Sequence, residues 1–267
     1  MTMRFLVLAA LAAAFIVTGC GRESGESATR AHATTIRVLA ASSLSNAVTT
    51  ISDRFEQRTN IHVELSFDAT SRLAHQVQEG APADVLISAD RQWMNELIAT
   101  GFVHASGAHD WVGNSLVVIT PRRDAVEIQS LADLRQHAVR HLALAAPAVP
   151  ASQYAEQALT RAGVLSELQR SIVRAPNVRA TLAYVAEGNA EAGIVYATDA
   201  RIDTRVRVAY AIDASSHEPI VYALARLAHA ASWEGAQRFV DYCRSEASMT
   251  LLREQGFVPL AQVAYAP

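Results

Sequence analysis

The stretch IRVLAASSLSNAVTTISDRF, residues 36–55, predicts a strand, a sharp turn and a helix. Residues 36–40 alternate as a short strand does, and apolar residues then recur every three or four positions from Leu44 to Phe55, as on one face of a helix. Ser43 stands where the helix begins and is predicted to be its N-cap. A helix start has unpaired N–H groups and a partial positive charge, so it can accept an anion without a cationic side chain. On this stretch alone, a plain capping role for Ser43 is the simpler interpretation.

A strand followed by small or hydroxyl residues and a helix start recurs downstream, and this recurrence favours a binding function. The further helix starts fall at Thr70, Ala151 and Val178, beside helices predicted over residues 72–79, 153–162 and 178–187. Four helix starts can converge on one anion, and each charge-assisted hydrogen bond contributes about 1.5–3 kcal/mol net. Tyr196 ends the buried-type strand at residues 192–196, the edge where ligands bind open α/β sheets. The alternation of strands and helices argues for parallel α/β layers.

Composition bounds the possible functions. The chain has 267 residues and is 51% hydrophobic, enough for a full core and two modest domains. Its 23 basic residues are all arginines, so P-loop phosphate chemistry and Schiff-base chemistry, which need a lysine, are excluded. The net charge of -3 does not indicate the excess of basic residues that is typical of nucleic-acid-binding proteins.

The N-terminus predicts export. Arg4 precedes an apolar run over residues 5–17 that is too short for a comfortable membrane span. The run ends in VTGC, which resembles the bacterial lipoprotein cleavage box and would make Cys20 the first mature, lipidated residue of a signal peptide spanning residues 1–20. An ordinary signal peptide with an incidental cysteine is the alternative. Residues 21–33 have the composition of a flexible tether.

One cysteine remains beyond that signal. Cys243 lies in an apolar helical pattern and is predicted to be a small core residue, so no disulfide is expected within the mature body if Cys20 carries lipid.

Several segments together carry a family resemblance. They are AASSLSNA (residues 40–47), GAPADVLISAD (80–90), GNSLVV (113–118), VPA (149–151) and GIVYATDA (193–200). With these segments, the body from residue 36 to about 260 resembles the periplasmic molybdate-binding proteins of bacterial ABC importers, which are class II solute-binding proteins. Each segment alone is weak, whereas their combination and order are specific.

The resemblance implies an α/β, two-lobed periplasmic-binding-protein fold of type II. Each lobe would be a mixed sheet flanked by helices, with the ligand cleft between the lobes. Lobe 1 would comprise residues 34–112 and 218–267, and lobe 2 residues 113–217.

The resemblance also implies a site for molybdate, and for tungstate, made only of neutral donors. Carried over by motif, the oxyanion-binding residues are Ser43, Thr70, Ala151, Val178 and Tyr196, with Ser71 as a neighbouring candidate. Molybdenum would be bound only as the oxyanion, with no protein–metal ligand and no cofactor. The family position at Thr70 is usually serine, and the extra methyl group narrows the pocket. Asp68 would repel a dianion, so we expect its carboxylate to face away or to accept backbone N–H groups.

The partners and alternatives follow from the same resemblance. We expect a monomer on the periplasmic or cell-surface side of a bacterial membrane, held by its lipid anchor and delivering the oxyanion to an inner-membrane permease. The chain has no HExxH, paired-cysteine or GxSxG motif, so an enzyme is disfavoured. A binding protein for another small anion, such as sulfate or an organic anion, and a lipid-anchored interaction module without a transport ligand remain alternatives.

Overall fold

The computed structural model describes residues 34–123 and 125–260. The predicted signal peptide, the lipidation site Cys20 and the tether at residues 21–33 lie outside the described residues. No described helix is both long enough and apolar enough to cross a membrane.

Among the described residues, the first sheet has six strands and is mixed. In spatial order they are β11 (Val258–Pro259), β4 (Val103–Gly113), β10 (Val221–Leu227), β3 (Val85–Ser88), β1 (Thr35–Ala41) and β2 (His62–Asp68). β1 is parallel to β2 and β3, whereas β10 runs antiparallel to β3 and β4. The helices that accompany this sheet are α1 (Ser45–Thr59), α2 (Thr70–Gln78), α3 (Arg91–Ala99), α8 (Trp233–Cys243) and α9 (Glu246–Glu254).

The second sheet has five strands within the described ranges. They are β7 (Ile172–Ala175), β6 (Leu142–Ala145), β8 (Ala192–Tyr196), β5 (Leu116–Pro121) and β9 (Val206–Ala211). β6 is parallel to β7 and β8, and β5 is antiparallel to β8 and β9. Its helices are α4 (Pro150–Arg161), α5 (Leu165–Leu168), α6 (Val178–Ala186) and α7 (Ala197–Ala200).

The predicted fold class is therefore confirmed: two mixed sheets, each flanked by helices. The strand–helix alternation argues for parallel layers, but each sheet also contains antiparallel pairs: β10 with β3 and β4 in the first sheet, and β5 with β8 and β9 in the second. β10 returns to the first sheet from late in the chain and inserts between β3 and β4. The exact lobe boundaries at residues 112/113 and 217/218 stay a prediction.

The strand–turn–helix unit at residues 36–55 forms with one correction. A 3₁₀ turn, Ser42–Leu44, separates β1 from α1, and Leu44 rather than Ser43 occupies the N-cap position of α1. The prediction that Ser43 caps α1 was therefore wrong. Its hydroxyl lies 3.0 Å from the Tyr222 hydroxyl instead.

Burial in the second sheet shows why its strands form. Every residue of β6 and β8 is buried, as expected of continuous apolar strands covered on both faces.

The prediction for Cys243 is confirmed, since it lies in α8 and is fully buried. Burial raises the pKa of its thiol far above the ordinary value, so it stays protonated.

Candidate functional site

A small cavity lies where strand ends and helix starts of the two sheets meet. Its volume is only about 10 Å³, measured as the space open to the centre of a water-sized sphere. The first wall, contributed by first-sheet elements, consists of Ala41, Ser42, Ser43, Asp68, Ala69, Thr70 and Ala89. The second wall, contributed by second-sheet elements, consists of Val149, Pro150, Ala151, Val178 and Tyr196.

The first wall carries hydroxyl side chains that already have protein partners. The Ser43 hydroxyl pairs with the Tyr222 hydroxyl at 3.0 Å, and the Asn114 amide donates to that same Tyr222 oxygen at 3.2 Å. The Thr70 hydroxyl accepts the Ala89 N–H at 3.0 Å. A hydroxyl that accepts one hydrogen bond still has its proton to donate, so Thr70 can donate into the cavity.

The second wall consists largely of backbone at two helix starts. Pro150 is the first residue of α4, where its fixed φ suits the helix and its missing N–H costs nothing, so Ala151 follows in the first turn. The Asn177 side chain caps α6 by accepting the Ala180 N–H at 3.0 Å, and Val178 is the first helical residue. First-turn N–H groups have no intrahelical acceptor, so Ala151 and Val178 can bind an anion only through their backbone.

Tyr196 is the polar side chain of the second wall. It is 1% exposed, and within the described residues its buried phenol oxygen has no hydrogen-bond partner. A buried polar atom without a partner is costly. Burial, followed by the neighbouring phenol of Tyr222, raises its pKa well above the ordinary value, so the phenol keeps its proton. It is a neutral donor that lacks an acceptor, at the edge of a small cavity.

Asp68 behaves as the sequence analysis expected. One carboxylate oxygen, Oδ1, accepts the Ala69 N–H at 2.7 Å and the Asn177 amide at 3.3 Å. The residue still lines the cavity. The other oxygen, Oδ2, lies 3.6 Å from Nη1 of Arg72.

The family model for bacterial extracellular solute-binding proteins matches residues 36–258. The chain belongs to this family. The molybdate-binding protein ModA of Haemophilus influenzae is 32% identical over 255 residues, which cover 94% of the chain and 98% of that relative. A putative ABC transporter substrate-binding lipoprotein of Bacillus subtilis, YvgL, is 29% identical, with 94% of the chain and 96% of the relative covered.

Solved structures agree with this family membership. The substrate-binding domain of a putative molybdenum ABC transporter from Clostridium difficile is 27% identical, with a TM-score of 0.66 and coverage of 86% of this chain and 100% of that one. The periplasmic molybdate-binding protein of Azotobacter vinelandii superposes with a TM-score of 0.77 at 24% identity, covering 85% of this chain and 100% of that one. At that identity the second match supports the fold alone.

In this solute-binding protein, the fold brings most of the predicted site residues together. Five of them line the one cavity: Ser43, Thr70, Ala151, Val178 and Tyr196. Ser71 does not line it and is buried within α2. None of the residues that line the cavity is cationic. No group of three or more potential metal ligands was found among the described residues.

Sequence reasoning missed several contributors to this solute-binding cavity. Ala41, Ala69, Ala89, Val149 and Pro150 line it with small or cyclic side chains, which carry no chemical signal in a sequence. Ser42 had a signal, because it precedes Ser43 in the same motif. Tyr222 lies in a strand that was not predicted, and nothing in its local pattern connects it to a residue 179 positions away.

Proposed function

We propose that this protein is the extracytoplasmic substrate-binding component of an ABC importer and captures molybdate, and also tungstate, in the cavity between its two sheets. The observation that carries the proposal is the Tyr196 phenol, a buried donor without an acceptor, at a cavity that is also lined by hydroxyls, first-turn N–H groups and the Asp68 residue. Relatives that align over nearly the whole chain are named molybdate-binding proteins, which supports this choice of ligand.

Neutral donors suit a tetrahedral dianion. A closed cavity with fixed dipoles can satisfy the oxygens of the anion without a formal countercharge, and a few charge-assisted hydrogen bonds of about 1.5–3 kcal/mol each then supply the affinity. Discrimination between similar dianions falls to cavity size. The Thr70 methyl group narrows the cavity, so its size rather than its charge should decide between molybdate and sulfate.

The proposed activity is binding without catalysis or a cofactor. The oxyanion is the transported ligand, and molybdenum would reach the protein only through its oxygen atoms. Solute-binding relatives support this assignment.

The proposed location is the outer face of a bacterial membrane, with the protein working as a monomer. Cys20 would carry the lipid anchor, and the tether at residues 21–33 would let the folded body move some distance from the membrane. A permease in the inner membrane would receive the oxyanion. The lipoprotein name of the Bacillus subtilis relative supports this arrangement. Mass spectrometry of the membrane-extracted chain tests it, since a Cys20→Ala variant should lose the lipid mass.

Thermal unfolding of the full chain with molybdate, tungstate, sulfate, phosphate or no added anion tests the ligand. An anion at 1,000 times its Kd should stabilise the fold by about 4 kcal/mol, a shift on the order of 10 °C at this chain length. We expect molybdate and tungstate to raise the midpoint and sulfate to leave it unchanged. An equal response to sulfate would support the alternative of a general anion-binding protein, and no response to any oxyanion would overturn the proposal.

The variant Ser43→Ala localises the response. It removes one proposed donor and should reduce the molybdate affinity about tenfold, the effect of about 1.4 kcal/mol. Ser45→Ala, at the first residue of α1 and outside the cavity, is the matched control. Equal affinities for the two variants would place the anion elsewhere.

A further inference from the structure

Arg179 contacts elements on both sides of the cavity but does not line the cavity itself. It follows Val178 in the first turn of α6. Its Nε lies 2.6 Å from the Asp199 carboxylate of α7. Its two terminal nitrogens donate to first-sheet elements: Nη2 to the Ser43 carbonyl at 3.0 Å and Nη1 to the Asn46 side chain at 2.8 Å.

The ion pair with Asp199 holds this guanidinium in place. The Asp199 side chain is 0% exposed and that of Arg179 is 21% exposed. Burial raises the pKa of Asp199 to about 6, against the opposing effect of the Arg179 charge. Arginine presents its donors in one plane. The hydrogen bonds from Nη1 and Nη2 to Asn46 and Ser43 orient that plane, whereas the contact of Nε with Asp199 is an ion pair without hydrogen-bond geometry.

The acceptor of the Nη2 hydrogen bond is the reason that Arg179 bears on ligand binding. Ser43 is a proposed oxyanion-binding residue, and its carbonyl lies in the 3₁₀ turn that also carries its cavity-facing hydroxyl. A hydrogen bond to that carbonyl restrains the turn while leaving the Ser43 hydroxyl and N–H available. Because Asp199 balances the arginine charge, the bridge adds no net charge beside the cavity.

Two other hydrogen bonds between elements of the two sheets serve as a comparison, and neither reaches a proposed binding residue. The Trp93 indole donates to the Ala148 carbonyl at 3.2 Å, and the Asn177 amide donates to Asp68 at 3.3 Å. Arg179 differs from both because it joins a second-sheet helix directly to Ser43.

We propose that Arg179 is a positioning residue that couples closure of the two walls to oxyanion capture. It is anchored on Asp199 and holds the Ser43 turn in its binding geometry only when the walls are together. This inference rests on the proposed function. A contact made only in the closed state favours that state, so the same contact strengthens ligand binding and slows ligand release.

The test compares two charge-neutral double variants of the full chain. Arg179→Gln with Asp199→Asn removes the bridging pair without leaving a buried charge unpaired. Arg205→Gln with Asp203→Asn is the matched control, because that pair lies within one short segment that follows α7. Molybdate association and dissociation rates are measured by stopped-flow tryptophan fluorescence, and the midpoint of thermal unfolding is measured without ligand.

The bridging variant should release molybdate about 10–150-fold faster, the effect of losing one hydrogen bond to a charged donor. Its association rate should change much less, as is usual for changes at a binding interface. The control variant should match the wild type in both rates. Release at the wild-type rate from a folded bridging variant would overturn the inference.

Asn46→Ala provides a second test that leaves the buried pair intact. It removes one exposed end of the bridge and should speed release about threefold to tenfold. Combined with Arg179→Gln and Asp199→Asn, it should add nothing, since its partner is already gone. Additive effects on release, or an effect only on the ligand-free unfolding midpoint, would overturn the inference.

The two proposals fail in different ways. If the wild-type chain binds neither molybdate nor tungstate, the proposed function fails. If the wild type binds and the bridging variant releases the anion equally slowly, only the role of Arg179 fails.

Discussion

The two walls of the cavity are built from different parts of the polypeptide. The first wall offers hydroxyl side chains, Ser43 and Thr70, that already have partners in Tyr222 and the Ala89 N–H. The second wall offers backbone at the starts of α4 and α6, and one side chain, Tyr196, whose oxygen has no described partner.

This difference separates two ways of preparing donors for an anion. Hydroxyls held by neighbours are already oriented, and they can be removed one at a time by substitution. A helix start is oriented by the whole helix, so its donors persist whatever side chains stand there. Side-chain substitutions should therefore weaken the first wall readily and leave the second largely intact, unless they remove an N–H or the Tyr196 hydroxyl.

Val178→Pro should have the largest effect, because it removes a backbone donor from the second wall. Proline is favoured at the first position of a helix, and the preceding Asn177 has the extended backbone that proline requires, with φ -155° and ψ 175°. The helix should therefore form without the N–H. We expect molybdate affinity to fall about 10–150-fold, the value of one hydrogen bond to a charged group, measured by isothermal titration calorimetry.

Val178→Ala is the control for that variant. It loses side-chain packing at the same position but keeps the N–H. If both variants bind molybdate equally weakly, packing rather than the backbone donor explains the loss, and the proposed contrast between the walls breaks down.

Tyr196→Phe should have an intermediate effect with a distinctive signature. Removing a hydroxyl that has no acceptor should leave the ligand-free unfolding midpoint unchanged or raise it, since the cost of an unpaired buried donor disappears. The same change should weaken molybdate binding about tenfold, because the side chain then has no hydroxyl to donate a hydrogen bond to the anion. A lower midpoint without ligand would mean that the phenol has a partner in the free protein.

Asp90→Asn should have the smallest effect on molybdate binding and should act on stability alone, because Asp90 follows Ala89 but does not line the cavity. The carboxylate caps α3 by accepting the Trp93 N–H, a bond that asparagine can also make. Burial raises the pKa of Asp90 to about 6. A raised carboxyl pKa in the folded state means that the folded protein holds the proton more tightly, so stability falls as pH rises from about 4 to about 6.

The wild type should therefore lose about 1–3 kcal/mol across that pH window relative to Asp90→Asn, in proportion to a shift of one to two units. Urea unfolding of the ligand-free chain at several pH values measures the difference. Parallel stability curves for the two proteins would show that Asp90 ionises normally.

Sequence reasoning reached much of this site because several of its positions carry local signals. An asparagine directly before an apolar helical run is a local N-cap signal, and Asn177 does cap α6. Helix α4, predicted over residues 153–162, begins earlier, at Pro150, because proline is favoured at the first position of a helix.

The amino-acid sequence by itself determined the kinds of donor available, the positions of the helix starts and the family. These are local properties, fixed by spacing and residue type over a few positions. Only the tertiary structure decided which groups meet: Ser43 lies beside Tyr222, 179 positions away, and Arg179 reaches the Ser43 carbonyl across 136 positions. Such contacts follow from β10 joining the first sheet and from the placement of the second wall against the first. No pattern of neighbouring residues encodes them, because they result from the packing of whole elements and not from local propensity.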